Sequence, residues 1–399
     1  QPTATDPKNT AKGLHLSTLR ALLVDKTIYG LPLAYKCLAL FYDPSRIPNP
    51  PQTTDELLAF ARQHSGPTQY GLAYSATEPY FHAPWMHGFG GGVFKDDTVS
   101  LDNSGNRESL RFAKELLDEG LIPDEPTAAL VTQLFNEGST PMVINGPWFL
   151  GEIDPGTEFA VAPLPRVTAT GKHAAPYITV EAIQVSPLSA QAPDAWALAR
   201  WLVAKEQALV RAMEGRQNVA TLAAVEDARV SQDPVLSAFA SQLEHAIPLP
   251  NRSEMGKTWE PMARAIRRVM RGAITPADAL RQAQNEYSVL ARPPPPKADP
   301  LPWIIIVVFT ILALMKGAYD WARKHRQEIV AWRHAYTWIL PATVAMAVLV
   351  IAPFTVGAAV SLLAHNNGEW TFVGWSNFLD ILFARDCPLS SPLSFWFTL

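Results

Sequence analysis

Sulfur is scarce in this chain. Its 399 residues hold only Cys37 and Cys387, far apart and in segments of very different character. Two thiols so placed make no disulfide framework and no CxxC site, and they read as unpaired. Other signatures of chemistry are missing as well. There is no HExxH and no GxxxxGK[ST], so metalloprotease and nucleotide chemistry lack their usual carriers, and no GxSxG elbow offers a nucleophilic serine. Nothing in the sequence asks for a cofactor. Charged residues are few, 18%, and the net charge is −4, which provides no basic footprint for nucleic acid. The chain opens on Gln1 without a signal peptide and stops in the apolar run "PLSFWFTL", so both ends are expected to be cut from something longer.

What is abundant is apolar surface, proline and tryptophan: 48% hydrophobic residues, 35 Pro and 12 Trp. These are unevenly spread. Residues 1–291 read as an α/β domain, with short apolar strands alternating with amphipathic helices. "TTDELLAFARQH" opens with a Thr53–Glu56 capping box. "RESLRFAKELLDEG" sets Leu110, Ala113, Leu116 and Leu117 on one helix face, with Gly120 as its C-terminal cap. "PMVINGPWF", "EFAVAPLP" and "YITVEAIQVSP" read as strands. "PDAWALARWLVAKEQALVRAME" reads as one long helix from near Pro193, and "WEPMARAIRRVMRG" with "PADALRQAQNEYSVLA" as a closing helical pair. "HGFGGGVF" reads as a flexible turn, since it lacks the strand–GxGxxG–helix setting.

"RPPPPKADP", 292–300, is the clearest boundary. Four consecutive prolines favour a stiff extended spacer. Two runs follow that are long enough to span a bilayer, at 301–321 and 335–364. Trp303 and Trp321 suit interfacial anchors, and Pro341 and Pro353 are better tolerated in lipid than in water. The segment between, 322–334, is a basic loop: Lys316, Arg323, Lys324, Arg326 and Arg333 around it stand against Asp320 and Glu328. Positive loops stay cytoplasmic, which puts the α/β domain and residues 365–399 on the extracytoplasmic side.

Within the α/β domain no carboxylates pair for acid–base work. Glu78, Glu125, Glu137, Asp154 and Glu181 are scattered and read as solvated charges, and His82, His87 and His173 as satisfied loop histidines. Aromatic residues beside turns are the stronger signal: Tyr80 and Phe81 in "TEPYFHAPW", Trp148 in "NGPWF" and Trp259 in "GKTWEP". A ring face beside a carboxylate or amide is how proteins hold sugars.

The blocks "YGLPLAYKCLALFYD", "EPYFHAPWMHGFGGGVF", "FNEGSTPMVINGPWF" and "RGAITPADALRQAQ" resemble, in order and spacing, those of maltose-type solute-binding proteins of ABC importers. The likeness covers about residues 15–290. "YTWILPATVAMAVLVIAPFTVGAAVSLL…WTFVGWSNFLDIL" resembles the start of a MalF-like permease, with the next permease helix beginning inside 365–399. The resemblance implies a two-lobed, type II periplasmic-binding-protein fold lacking its N-terminal part, followed by transmembrane helices. It implies crossings between lobes at Leu33–Lys36, Tyr177–Val180 and Val219–Val225. An oligosaccharide is then expected in the cleft, held by Glu78, Tyr80, Trp148 and Trp259. Lys36 stands where the family carries a ligand-binding Glu, which turns an acceptor into a donor and implies a different or acidic sugar, or a weakened site. The implied partners are a second permease subunit, cytoplasmic ATPase subunits and the bacterial inner membrane. The alternatives are a membrane-tethered sugar sensor and, more weakly, an extracytoplasmic glycan hydrolase.

Overall fold

The computed structural model describes residues 12–24, 27–366 and 368–382. Cys387 and the closing apolar run lie outside them. The chain divides into two compact units, residues 1–290 and 291–399.

Two sheets organise the first unit. Strand β1 (Leu31–Lys36) leads through Cys37 and Leu38 directly into β2 (Ala39–Tyr42), yet the two strands belong to different sheets. β2 is the centre of a three-stranded antiparallel sheet, between β3 (Met142–Asn145) and β4 (Ala160–Ala162). β1 lies in a four-stranded sheet beside β5 (Tyr177–Ile183), with β6 (Asn218–Val219) on its other edge and β7 (Ile247–Pro248) beyond β5. The expected crossings at 33–36 and 177–180 therefore fall on neighbouring strands. The third begins on β6, but Leu222–Val225 winds into a short helix.

The apolar run at β2 is explained by burial on both faces. Leu38 and Leu40 join one core cluster, under the helices at 54–64, 104–118 and 259–290; Cys37, Ala39 and Phe41 join a second cluster with Val143, Phe149 and Phe239. A strand covered on both sides carries no polar alternation. Phe41 meets Phe149 edge-on at 5.1 Å and Phe239 at 6.0 Å, which fixes the second cluster.

The helix starts follow local chemistry. Thr53 caps the backbone of Glu56, while the Glu56 carboxylate reaches back to the amide of Gln52, one residue earlier than a capping box requires. Three expectations need correction. The single helix from Pro193 is two, Ala192–Leu202 and Lys205–Met213. Ala204 is extended, and the Val203 carbonyl accepts from Thr221 Oγ1 at 2.7 Å, a bond that competes with continuing the helix. His82 and His87 lie in the helix Pro79–Gly88, not in loops. The glycine-rich turn is tied down: Gly92 donates to Asn106 Oδ1 and accepts from Asn106 Nδ2, and a Cβ on Gly91 would collide with the Asn106 backbone and side chain. Its glycines serve close approach.

The second unit begins with 292–300, which forms neither helix nor strand. Two helical runs, Leu301–Lys324 and Arg333–Val360, are long and apolar enough to cross a membrane by length and composition. The first is longer than expected and the second ends four residues early, because Leu363–Asn366 pairs with Glu369–Phe372 as an antiparallel hairpin. Within the second run, Ala347–Ile351 widens to a π turn just before Pro353, whose ring removes a helical hydrogen bond. The basic segment at 322–334 contains a helix, Arg326–Ala331.

Candidate functional site

The register of β1 and β5 builds the site. Ala34 faces Glu181, Tyr35 faces Val180 and Lys36 faces Thr179. Paired residues share a face, and alternation carries that face along each strand. Tyr35, Ile178 and Val180 thus point into the second core cluster. Lys36, Tyr177, Thr179 and Glu181 occupy the opposite face. There the Lys36 ammonium forms an ion pair with the Glu181 carboxylate, both side chains a little over 40% exposed. A pair so exposed contributes at most about 1 kcal/mol to stability.

Aromatic residues border this face. Tyr80, in the first turn of the helix that Pro79 opens, carries its hydroxyl beside Thr179; burial pushes that hydroxyl up to about 12 and Thr179 opposes the shift. The hydroxyl makes no well-formed hydrogen bond. Trp148 follows β3 on a single 3-10 turn, Pro147–Gly151. It is 38% exposed while its neighbour Phe149 is fully buried. The Tyr80 and Trp148 rings lie 6.5 Å apart. Further along, Tyr177 meets Trp259 edge-on at 6.3 Å, above a narrow apolar cavity lined by His82, Met86 and Met262. Burial raises the Tyr177 hydroxyl as well.

Of the residues singled out from sequence, Lys36, Tyr80, Trp148 and Trp259 border this one face. Glu78 stands apart from them. It is exposed, makes no cap bond from its side chain, and lines a separate open cleft of about 510 Å³ with Asp124, Arg267 and Arg271. Sequence reasoning missed Tyr177 and Thr179, and it took Glu181 for a solvated charge. The signal was present in "YITVEAI": alternation puts Tyr177, Thr179 and Glu181 together, and a lysine on the adjacent strand asks for a counter-charge. The arrangement offers the partly exposed rings of Tyr80, Trp148 and Trp259, one cation, one carboxylate and the Thr179 hydroxyl along this face, while Tyr177 is buried beneath it.

The model of the bacterial extracellular solute-binding protein family matches residues 2–238. The chain belongs to this family. Among solute-binding proteins, it is 30% identical over 253 residues to a maltotriose-binding protein of Pyrococcus abyssi (strain GE5 / Orsay), covering 61% of this chain and 55% of that one. It is 26% identical over 282 residues to a galactooligosaccharide-binding protein of Bacillus subtilis (strain 168), covering 67% of each. The chain thus spans little more than half the length of the Pyrococcus relative. A cyclo/maltodextrin-binding protein solved with maltotetraose superposes with a TM-score of 0.68 at 29% identity, over 72% of this chain and 77% of that one. The maltose/maltodextrin-binding domain of Bdellovibrio bacteriovorus, at 23% identity and a TM-score of 0.64 over 73% and 80% of the two chains, shares the fold. The architecture is the two-lobed maltose-binding-protein fold, mixed α/β.

Proposed function

We propose that this chain captures neutral, maltodextrin-like oligosaccharides outside the cytoplasm and, through its C-terminal helices, hands them to the pore of an ABC importer. The observation that carries the reading is the shared face: the partly exposed rings of Tyr80, Trp148 and Trp259 near the hydrogen-bonding groups of Lys36, Thr179 and Glu181, with buried Tyr177 packing under Trp259. Rings stack on the apolar faces of sugars while charged and hydroxyl groups take their hydroxyls. Relatives described as binding maltotriose and galactooligosaccharide support the substrate class. The ligand, bound more tightly by the closed lobes, supplies the differential affinity that shifts such a hinge.

The fused organisation is part of the proposal. Residues 1–291 form the capture domain, 292–300 a spacer, and 301–321 and 335–364 the first two membrane spans, with 322–334 cytoplasmic and 365–399 outside. The membrane is the bacterial inner membrane. A spacer this short holds the capture domain at high effective concentration near its own pore. Glu78, in its separate cleft, takes no part in this face. A second permease subunit and cytoplasmic ATPase subunits complete the importer, and the chain itself is not an enzyme.

Calorimetric titration of the full chain in detergent with maltotriose and with a galactooligosaccharide tests the capture reading. Saturable binding to at least one is expected, and no binding to either overturns it. Labelling of single cysteines at 327 and at 370 in intact cells tests the topology. Labelling at 370 alone is expected; labelling at 327 from outside overturns it.

A further inference from the structure

The lysine at position 36 is not a bare positive charge in the site. Its ammonium is already paired with Glu181 on the neighbouring strand, so the site is locally neutral and holds both a donor and an acceptor. Among the described residues neither side chain makes another side-chain hydrogen bond. An ammonium has three donors and a carboxylate about four lone-pair sites, so most of their capacity is unused. Both groups lie half exposed on the face that Thr179, Tyr80 and Tyr177 share. A surface pair with this exposure is a poor device for holding strands together, because nearly all of its Coulomb gain is screened.

We infer that the Lys36–Glu181 pair is a ligand subsite that reads two adjacent hydroxyls of a neutral sugar. One hydroxyl accepts from the Lys36 ammonium, and its neighbour donates to the Glu181 carboxylate. This rests on the capture reading and deepens it by fixing the sign of the ligand. An acidic sugar, which a lone lysine would favour, has to bring its carboxylate against Glu181 and separate the pair. A neutral diol keeps the pair and satisfies both members.

The test uses the full chain in detergent, with calorimetric titration of maltotriose and of maltotriose bearing a uronic acid. Wild type is expected to bind the neutral trisaccharide at least tenfold more tightly. Glu181→Gln and Lys36→Met each weaken neutral binding about tenfold to a hundredfold, the range for hydrogen bonds to charged groups, with thermal midpoints near wild type. Among monodeoxy maltotrioses, at least one loses about tenfold on wild type and nothing further on Glu181→Gln, which a strand-holding role would not produce. If wild type binds no trisaccharide, the capture reading falls and this one with it. Should wild type bind and Trp148→Ala weaken it while Glu181→Gln and Lys36→Met stay within twofold, the subsite alone is overturned. Equal losses of every deoxy sugar on both proteins, or preference for the acidic sugar, overturn it too.

Discussion

The six-membered edge of the Trp148 ring lies so close to Gly146 that a Cβ there would come within 2.6 Å of three of its carbons. The glycine is not needed for its backbone, which is extended with φ −97°. It is needed as space. Gly146→Ala therefore displaces Trp148 at no backbone cost, and its effect reads out on the ligand and not on the fold. Thermal unfolding is expected within a few degrees of wild type, while maltotriose affinity falls about tenfold or more, as for Trp148→Ala. Wild-type affinity in Gly146→Ala would remove Trp148 from the site.

A pH dependence follows from two histidines of the helix Pro79–Gly88, His82 buried and His87 half-buried. His82 bonds Ser109 Oγ through Nε2 at 2.9 Å and leaves Nδ1 without a partner. Burial pushes it down to about 4, with His87 adding to the shift. His87 is pushed down to about 4 by burial, against the pull of the Ala175 carbonyl 2.6 Å from its Nδ1. Both values are depressed below the ordinary 6.5, so between about 4 and 6.5 the unfolded chain binds more protons than the folded one. Stability is full above 6.5 and is lost as pH falls through that window. From pH 7.5 to 5.0 the expected loss is on the order of 2 kcal/mol per histidine. Urea unfolding at the two pH values checks it, with His82→Asn expected to flatten the slope. Equal stability at both values would sink the argument.

The helix ends were legible because their signals are local: Thr53 and Gly120 mark them through their own backbone needs, while the division into two sheets came only from the structure. What stayed hidden was relational. Nothing in the sequence says that Lys36 and Glu181, 145 positions apart in numbering, share a face, since that depends on the β1–β5 register and on the bulge between Pro32 and Ala34. The break at Val203–Ala204 depends on a hydroxyl at Thr221. Glu78 read as a site residue from its neighbours Pro79 and Tyr80, yet the helix start turns it toward another cleft.

Asp233 does two jobs for the helix Pro234–Leu243. Its carboxylate caps the amides of Val235 and Leu236 at 3.0 Å and takes Arg216 at 2.6 Å. Burial alone would raise its pKa, but the hydrogen bonds from Arg216 and the two amides leave it lowered. Asp233→Asn keeps an acceptor for the cap and loses the charge. Asp233→Ala loses both and is expected to cost about 1–2 kcal/mol, the larger of the two effects. Arg216 holds φ +51°, so Arg216→Gly relieves backbone strain while breaking the pair and is expected to fall below Asp233→Ala in cost. Denaturant midpoints of the three variants check the order. Asp233→Asn matching Asp233→Ala would mean the charge, not the cap, carries the contribution.

Cys37 reports on the junction where the chain leaves one sheet for the other. Its side chain is fully buried between β1 and β2, and burial pushes the thiol up to about 12. The thiolate is the reactive form, so in native protein at pH 8 both access and ionisation oppose modification. In a Cys387→Ser background, a maleimide is expected to leave Cys37 unmodified over hours and to label it rapidly once urea opens the fold. Labelling under native conditions then measures opening of this junction alone. If the lobes hinge about β1 and β5 without unpicking the β2 core, saturating maltotriose leaves the native rate within about twofold. A ligand-dependent rise would show that closure strains the Cys37 peptide, and would move the hinge from the strand pair into the β1–β2 connection.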